Sequence, residues 1–220
     1  MRTLKEPEER KNEILDTAEA LFHSKGYDKT TINDILKEIG IAKGTFYYYF
    51  KSKEEVMDAI VVRIVDSGVL AAKEIAANAS LTVHEKFLYI MLAQKPASNS
   101  SKSQLIETLH DVNNAQMHQK SLSETVRKLT PILQEVTEQG IQEKLFATPY
   151  PREAIELLLV TAVTLFDEGI FNWQPQELSQ KIAGFIHAME TLLGAEKGSF
   201  AYVARLFEQA DPADGKPNGE

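Results

Sequence analysis

Apolar residues recur along this chain at helical spacing, and no run alternates in the two-residue rhythm of a half-buried strand. Over residues 8–24, Ile14, Ala18, Leu21 and Phe22 fall on one face, and Gly26 is expected to close the helix as a left-handed cap. A second helix starts at Thr31, whose hydroxyl caps it while Asp34 sits in its positive first turn. Its apolar positions, Ile32, Ile35, Leu36 and Ile39, follow the i, i+3, i+4, i+7 pattern, and Gly40 stops it. A short third helix covers residues 43–50. Ser52, Lys53, Glu54 and Glu55 then form a capping box that opens a long fourth helix, through Val56, Ile60 and Ile64 to about Ala77.

Further starts are signalled at Thr82 with Glu85 and at Ser121 with Glu124, and Pro131 is expected to kink the second of these helices. Tyr150-Pro151 opens a helix running to about Asn172. Pro175 opens a strongly amphipathic one with Leu178, Ile182, Phe185, Ile186, Met189 and Leu193 inward, and a shorter helix follows over residues 200–209. Residues 95–103 are polar and read as a mobile loop, and residues 211–220, all polar, Gly, Pro and Ala, as a disordered tail. The pattern is therefore all-α: a three-helix head over residues 1–52, a larger helical core over 53–209 and a tail over 210–220.

Composition narrows the chemistry. A chain of 220 residues buries a substantial core without staples, and the lack of cysteine excludes disulfides, thiolate catalysis and Cys-based zinc sites. The most apolar run, residues 157–163, is far short of the ~20 residues that span a bilayer, and residues 1–12 are crowded with charge, so a soluble cytoplasmic protein is expected, with no membrane partner. The net charge of -8 argues against nucleic acid only until its distribution is read. Residues 1–60 carry 10 Lys/Arg against 12 Asp/Glu, yet residues 39–53 hold three lysines and no acid. Screening confines charge effects to roughly 10 Å in ordinary salt, so a small basic face on an acidic body can still bind phosphates.

That face belongs to a helix-turn-helix. The second and third helices are joined by Gly40-Ile41-Ala42, and the second helix of such a pair enters the major groove. Set at 100° per residue, Phe46 and Phe50 point one way, with Ala42 and Tyr49 beside them; Gly44, Thr45, Tyr47 and Tyr48 point away. Three consecutive tyrosines cannot all be core on one short helix, so Tyr47 and Tyr48 are expected at the surface beside Lys43, Thr45 and Lys53. Gly44 lets a backbone approach closely, and Thr45 can touch a thymine methyl or donate to a base edge. Tyrosine hydroxyls, lysines and the free N–H groups at the start of helix four suit phosphate oxygens.

The run Thr30-Thr31-Ile32-Asn33-Asp34-Ile35, then Gly40-Ile41, then Lys43-Gly44-Thr45-Phe46-Tyr47-Tyr48-Tyr49-Phe50 with Lys51-Ser52-Lys53-Glu54, resembles the signature of the tetracycline-repressor family. Upstream, Ile14-Leu15-Asp16-Thr17-Ala18 and the stretch from Leu21-Phe22 to Gly26-Tyr27 fit the family's first helix, so the match covers about residues 8–58. The resemblance implies an all-helical homodimer with a DNA-binding head on a ligand-binding core. By position it implies DNA contacts at Thr31, Lys43, Gly44, Thr45, Tyr47, Tyr48, Tyr49 and Lys53. Many members have a hydroxyl residue where this chain has Ala42, so that helix cap and its phosphate contact are missing here.

For the core, the resemblance implies a pocket for a small-molecule effector among the middle helices, with Phe87, Met91, Leu109, Met117 and Phe166 as candidate lining residues. It also implies that the last two long helices pair with a second copy in a four-helix bundle, where Gly169 and Gly184 permit close approach. The expected partner is double-stranded DNA with an inverted repeat, released when effector binds. No cofactor is expected. The five histidines form no metal-spaced cluster, and no Gly-rich phosphate loop or nucleophile elbow occurs, so neither a metal site nor an enzyme is indicated. The alternative reading is a helical ligand-binding or scaffold protein without DNA binding, which would have no reason to keep residues 43–53 basic and aromatic.

Overall fold

A computed structural model describes residues 6–94 and 115–207. The described residues are helical, in the order α1 (Pro7–Lys25), α2 (Ile32–Ile39), α3 (Lys43–Tyr49), α4 (Lys53–Ala77), α5 (Val83–Gln94), α6 (Ala115–Gln142), α7 (Pro151–Leu165) and α8 (Pro175–Leu193), followed by a 3₁₀ helix (Ala201–Leu206). The first three helices pack Ile14, Ala18, Phe22, Ile35 and Phe46 into a small core, all fully buried. Val56, Met57 and Ile60 at the start of α4 complete it, and the same helix goes on to bury Val61, Ile64, Val65, Val69 and Ala72 in the larger core. At 1.5 Å per residue α4 is about 37 Å long, and it is the element common to both regions.

The helix ends largely follow the sequence signals. Thr31 caps α2 in a full capping box with Asp34, and Gly40 ends it in the left-handed conformation at φ 74°, which costs a residue without Cβ nothing. Gly26 also has positive φ, but at φ 86° and ψ 150° it takes an extended, glycine-favouring conformation rather than the expected left-handed cap. The Ser52 hydroxyl accepts the Glu55 N–H, while the Glu55 carboxylate accepts from Lys51 instead of closing the box on Ser52.

Four expectations are corrected. Helix α7 ends at Leu165, not near Asn172. There Asp167 accepts the N–H groups of Gly169 and Ile170, a local turn that competes with helix, and the Trp173 indole N–H takes the Leu165 carbonyl at 2.8 Å. Gly169 therefore sits in that turn and not on a helix face. Ser121 starts nothing, because α6 is already helical from Ala115 and Glu124 pairs instead with Arg127 and Lys128. The segment after Phe200 is a short 3₁₀ helix. The expected loop over residues 95–103, Leu109 and the tail over 210–220 lie outside the described residues.

The core distal to the head is aromatic. Phe87, Phe146 and Phe200 meet with centroids 5.6–5.9 Å apart, and His84 adds an edge contact to each of Phe146 and Phe200. Burial lowers the His84 pKa, keeping the ring neutral against Tyr202, whose hydroxyl lies 3.2 Å from Nδ1. A Cβ on Gly140 would enter the Phe146 ring, so that position needs glycine for close packing. Buried Glu190 accepts the N–H groups of Gly198 and Phe200, tying the 3₁₀ segment to α8.

Candidate nucleic-acid interface

Helix α3 divides as its sequence predicts. Phe46 and Phe50 are buried, with rings 6.1 Å apart, and Tyr49 is half-buried against the same core. Tyr47 and Tyr48 stand out, 43% and 77% exposed. The exposed pair is not loose: Tyr47 meets Phe46 edge-on at 5.5 Å and Tyr48 meets Tyr49 edge-on at 4.9 Å. Aromatic edges of this kind hold a ring in place while its hydroxyl faces water. Lys43 is exposed one turn earlier, its ammonium 5.7 Å from the Tyr47 centroid, and Thr45 is half-exposed between them. Around Gly44 nothing lies within 4 Å of where a Cβ would be, so the first turn of α3 has open space before it. Ala42 offers no side-chain cap to that turn.

Thr31 is exposed at the start of α2, with its hydroxyl already committed to the cap. It donates to Asp34 Oδ2 at 2.7 Å and accepts the Asp34 N–H at 3.2 Å. Lys25 reaches the same carboxylate at 2.7 Å and, with Thr31, holds the Asp34 carboxyl far below the usual carboxylate range. The α2 end of the interface is thereby fixed to α1.

Lys53 differs from its expectation. It is half-buried, and its ammonium donates to the Tyr27 carbonyl at 2.7 Å while sitting 4.1 Å from the Tyr27 ring centroid. Lys53 is thus also a brace between the α1–α2 turn and the start of α4. Burial, then the charges of Glu54, Asp28 and Asp58, pushes the Tyr27 hydroxyl up to about 12, so the ring stays neutral beneath the ammonium. Sequence reading missed Tyr27 as a partner. The two residues are 26 apart, too far for any helical or turn period to connect them.

The four effector candidates among the described residues lie in or against the buried core. Phe87 is in the distal aromatic cluster, Met117 is buried in α6 and Met91 half-buried in α5. Phe166 packs with Phe185 and Phe207 and lines a cavity of about 650 Å³ beside the α7–α8 connection. Leu109 lies outside the described residues.

Comparison with known proteins fits this arrangement. The family model described as bacterial regulatory proteins, tetR family, matches residues 14–60, and the model of the tetracyclin repressor-like C-terminal domain matches residues 96–188. Over 51 residues the chain is 51% identical to an uncharacterized HTH-type transcriptional regulator of Lactococcus lactis subsp. lactis, covering 23% of this chain and 26% of the relative. Over 81 residues it is 35% identical to IcaR of Staphylococcus aureus, the HTH-type negative regulator of a biofilm operon, covering 36% of this chain and 44% of that protein. The chain thus spans less than half the length of these relatives. Among solved structures, SmeT, the repressor of a multidrug efflux pump of Stenotrophomonas maltophilia, superposes with a TM-score of 0.60 at 20% identity over 86% of this chain and 92% of that one. A tetR-family regulator of Pectobacterium atrosepticum gives 0.60 at 21% identity over 87% and 98%. These two likenesses concern the fold.

Proposed function

Because the chain belongs to the tetracycline-repressor family of bacterial regulatory proteins, we propose that it is a ligand-responsive transcriptional repressor that holds an inverted-repeat operator as a homodimer. Residues 1–52 form the DNA-binding head and residues 53–209 the ligand-binding and dimerisation core of a cytoplasmic protein. The observation that supports this most is the division of α3, with one side wholly core and the other presenting Lys43, Gly44, Tyr47 and Tyr48. Thr45 and Tyr48 are the base readers and Lys43, Tyr47 and Tyr49 bind phosphate; Thr31, whose hydroxyl and backbone N–H both go to Asp34, holds the start of α2 behind them rather than donating to a phosphate. Lys53 gives one of its three N–H donors to Tyr27 and has others for a phosphate. IcaR, a negative regulator, favours repression over activation.

Dimerisation falls to α7 and α8. On α7, Leu157 and Val160 are 58% and 51% exposed, one helical turn apart. On α8, Gly184 is exposed with open space where a Cβ would stand. Two recognition helices must then sit about 34–36 Å apart, or a multiple of it, to enter successive major-groove segments. Helix α4 sets that spacing. Arg63 on it pairs with Asp16 and Glu19 of α1, while Lys120 and Lys128 of α6 pair with its Asp58 and Asp66. Exposed pairs of this kind contribute at most about 1 kcal/mol each, so the continuous buried face of α4 is the stronger mechanical link. An effector releases the operator by its differential affinity for the two settings of that helix.

Selection of genomic fragments is expected to enrich a palindrome, and sedimentation is expected to show a dimer. Leu157→Asp with Val160→Asp should yield folded monomers that lose the operator, since an unpaired charge buried in an interface costs about 3 kcal/mol or more. Enrichment of no palindrome would sink the operator reading, and a dimeric double variant would relocate the interface.

A further inference from the structure

We propose that the cavity at the α7–α8 elbow is a binding site for a small organic cation with an apolar body. Its volume, about 650 Å³, falls in the roughly 300–1,000 Å³ range of small-molecule pockets. Phe166, Phe171, Trp173 and Phe207 supply aromatic walls and Leu178 and Ile182 aliphatic ones. Glu168 is the one ionisable residue in its lining, and no ion pair holds that carboxylate among the described residues. An aromatic enclosure with a single unneutralised carboxylate favours a cation twice over, through the ring faces and through the charge.

The walls are preorganised. Trp173 stacks on Phe171 with centroids 4.8 Å apart and planes 15° apart, and its indole N–H is fixed on the Leu165 carbonyl at 2.8 Å. The Lys181 ammonium lies 3.7 Å from the Trp173 ring centroid and Phe171 stacks on the same indole, so Trp173 turns its edge to the cavity and the open ring faces are left to Phe166 and Phe207. The turn bearing Glu168 is pinned too. Its neighbour Asp167 accepts the N–H groups of Gly169 and Ile170, and its other carboxylate oxygen lies 2.9 Å from His118 Nε2 of α6. A ligand entering here meets side chains already in place, which removes part of the ordering cost of binding. The site shares only Phe166 with the effector pocket that family resemblance implies, and it stands whether or not the chain binds an operator.

Trp173 is the single tryptophan of the chain, so its fluorescence reports on the cavity directly. The full chain, without DNA, is titrated with benzyltrimethylammonium and with its uncharged carbon isostere, neopentylbenzene. A saturable fluorescence change is expected for the cation, with affinity about fivefold or more above the isostere. Glu168→Gln, an exposed position, is expected to reduce the cation's advantage over the isostere to the part the ring faces supply and to leave the isostere unchanged. Ser179→Phe, which fills the lining, is expected to abolish both signals while helical circular dichroism is retained. Equal affinities for cation and isostere, an advantage undiminished by Glu168→Gln, or no saturable change with either probe would overturn the proposal. Loss of the operator reading would leave these DNA-free titrations untouched, so the two fail separately.

Discussion

Head and core are built from the same kind of helix and differ in what their exposed side chains must match. In the head, α3 alone carries the division: Phe46 inward, Tyr47 and Tyr48 outward, Lys43 beside them. A phosphate backbone is a fixed polyanion with fixed groove dimensions, so a surface shaped to it needs particular residue types at particular helical angles. In the core the exposed apolar residues are spread over α4, α5, α7 and the α7–α8 elbow, as Leu70, Tyr89, Leu157 and Phe171. A ligand site there is constrained only by volume and apolarity, which core packing demands as well. The lesson is that a partner with invariant geometry writes itself into a short stretch of sequence, and a partner of unknown shape does not.

The largest effect that tests this contrast is on stability. Phe46 is fully buried, and Phe46→Ala is expected to cost about 3–5 kcal/mol. If head and core are separable, hydrogen exchange should show α1–α3 opening while the fluorescence of Trp173, far along the chain in the core, keeps its native position. Simultaneous loss of both signals would show that α4 welds the regions into one cooperative unit, and the contrast would then be one of surface only.

A smaller effect is expected at Tyr48. With most of its side chain in water, Tyr48→Ala should change stability by less than about 0.5 kcal/mol. On the operator it is expected to cost about 1–3 kcal/mol, and much less on a scrambled duplex. Equal losses on both duplexes, measured by fluorescence anisotropy, would move Tyr48 from the base readers to the phosphate contacts.

The head was legible because its signals are local. Thr31 with Asp34, Gly40 at the turn and the angular split of residues 46–50 each lie within one or two helical turns, and each is realised. The misreadings lie where a distant or competing contact decides. Periodicity carries α7 through to Asn172, but the Asp167 turn and the Trp173 indole on Leu165 end it earlier. The elbow cavity joins Phe166 to Phe207, 41 residues apart in number, and no spacing in the sequence foretells it.

The smallest effects separate two lysines that sequence treats alike. Lys43 is exposed, with the Tyr47 ring centroid 5.7 Å from its ammonium, whereas Lys53 is tied to the Tyr27 carbonyl and ring. Lys43→Ala is therefore expected to leave the unfolding midpoint unchanged and to lower the salt dependence of DNA binding by about one unit of slope. Lys53→Ala is expected to do the same to the slope and also to destabilise the head by about 1–2 kcal/mol, because a hydrogen bond and a cation–π contact go with it. Chemical denaturation of each variant, paired with operator titrations at several salt concentrations, reads both quantities. An unchanged slope for Lys53→Ala would make that residue a brace alone. An unchanged stability would mean that the ammonium leaves Tyr27 in solution and serves the phosphate only. Altered sequence preference in either variant would reverse the division between readers and anchors, since a phosphate contact weakens every sequence alike.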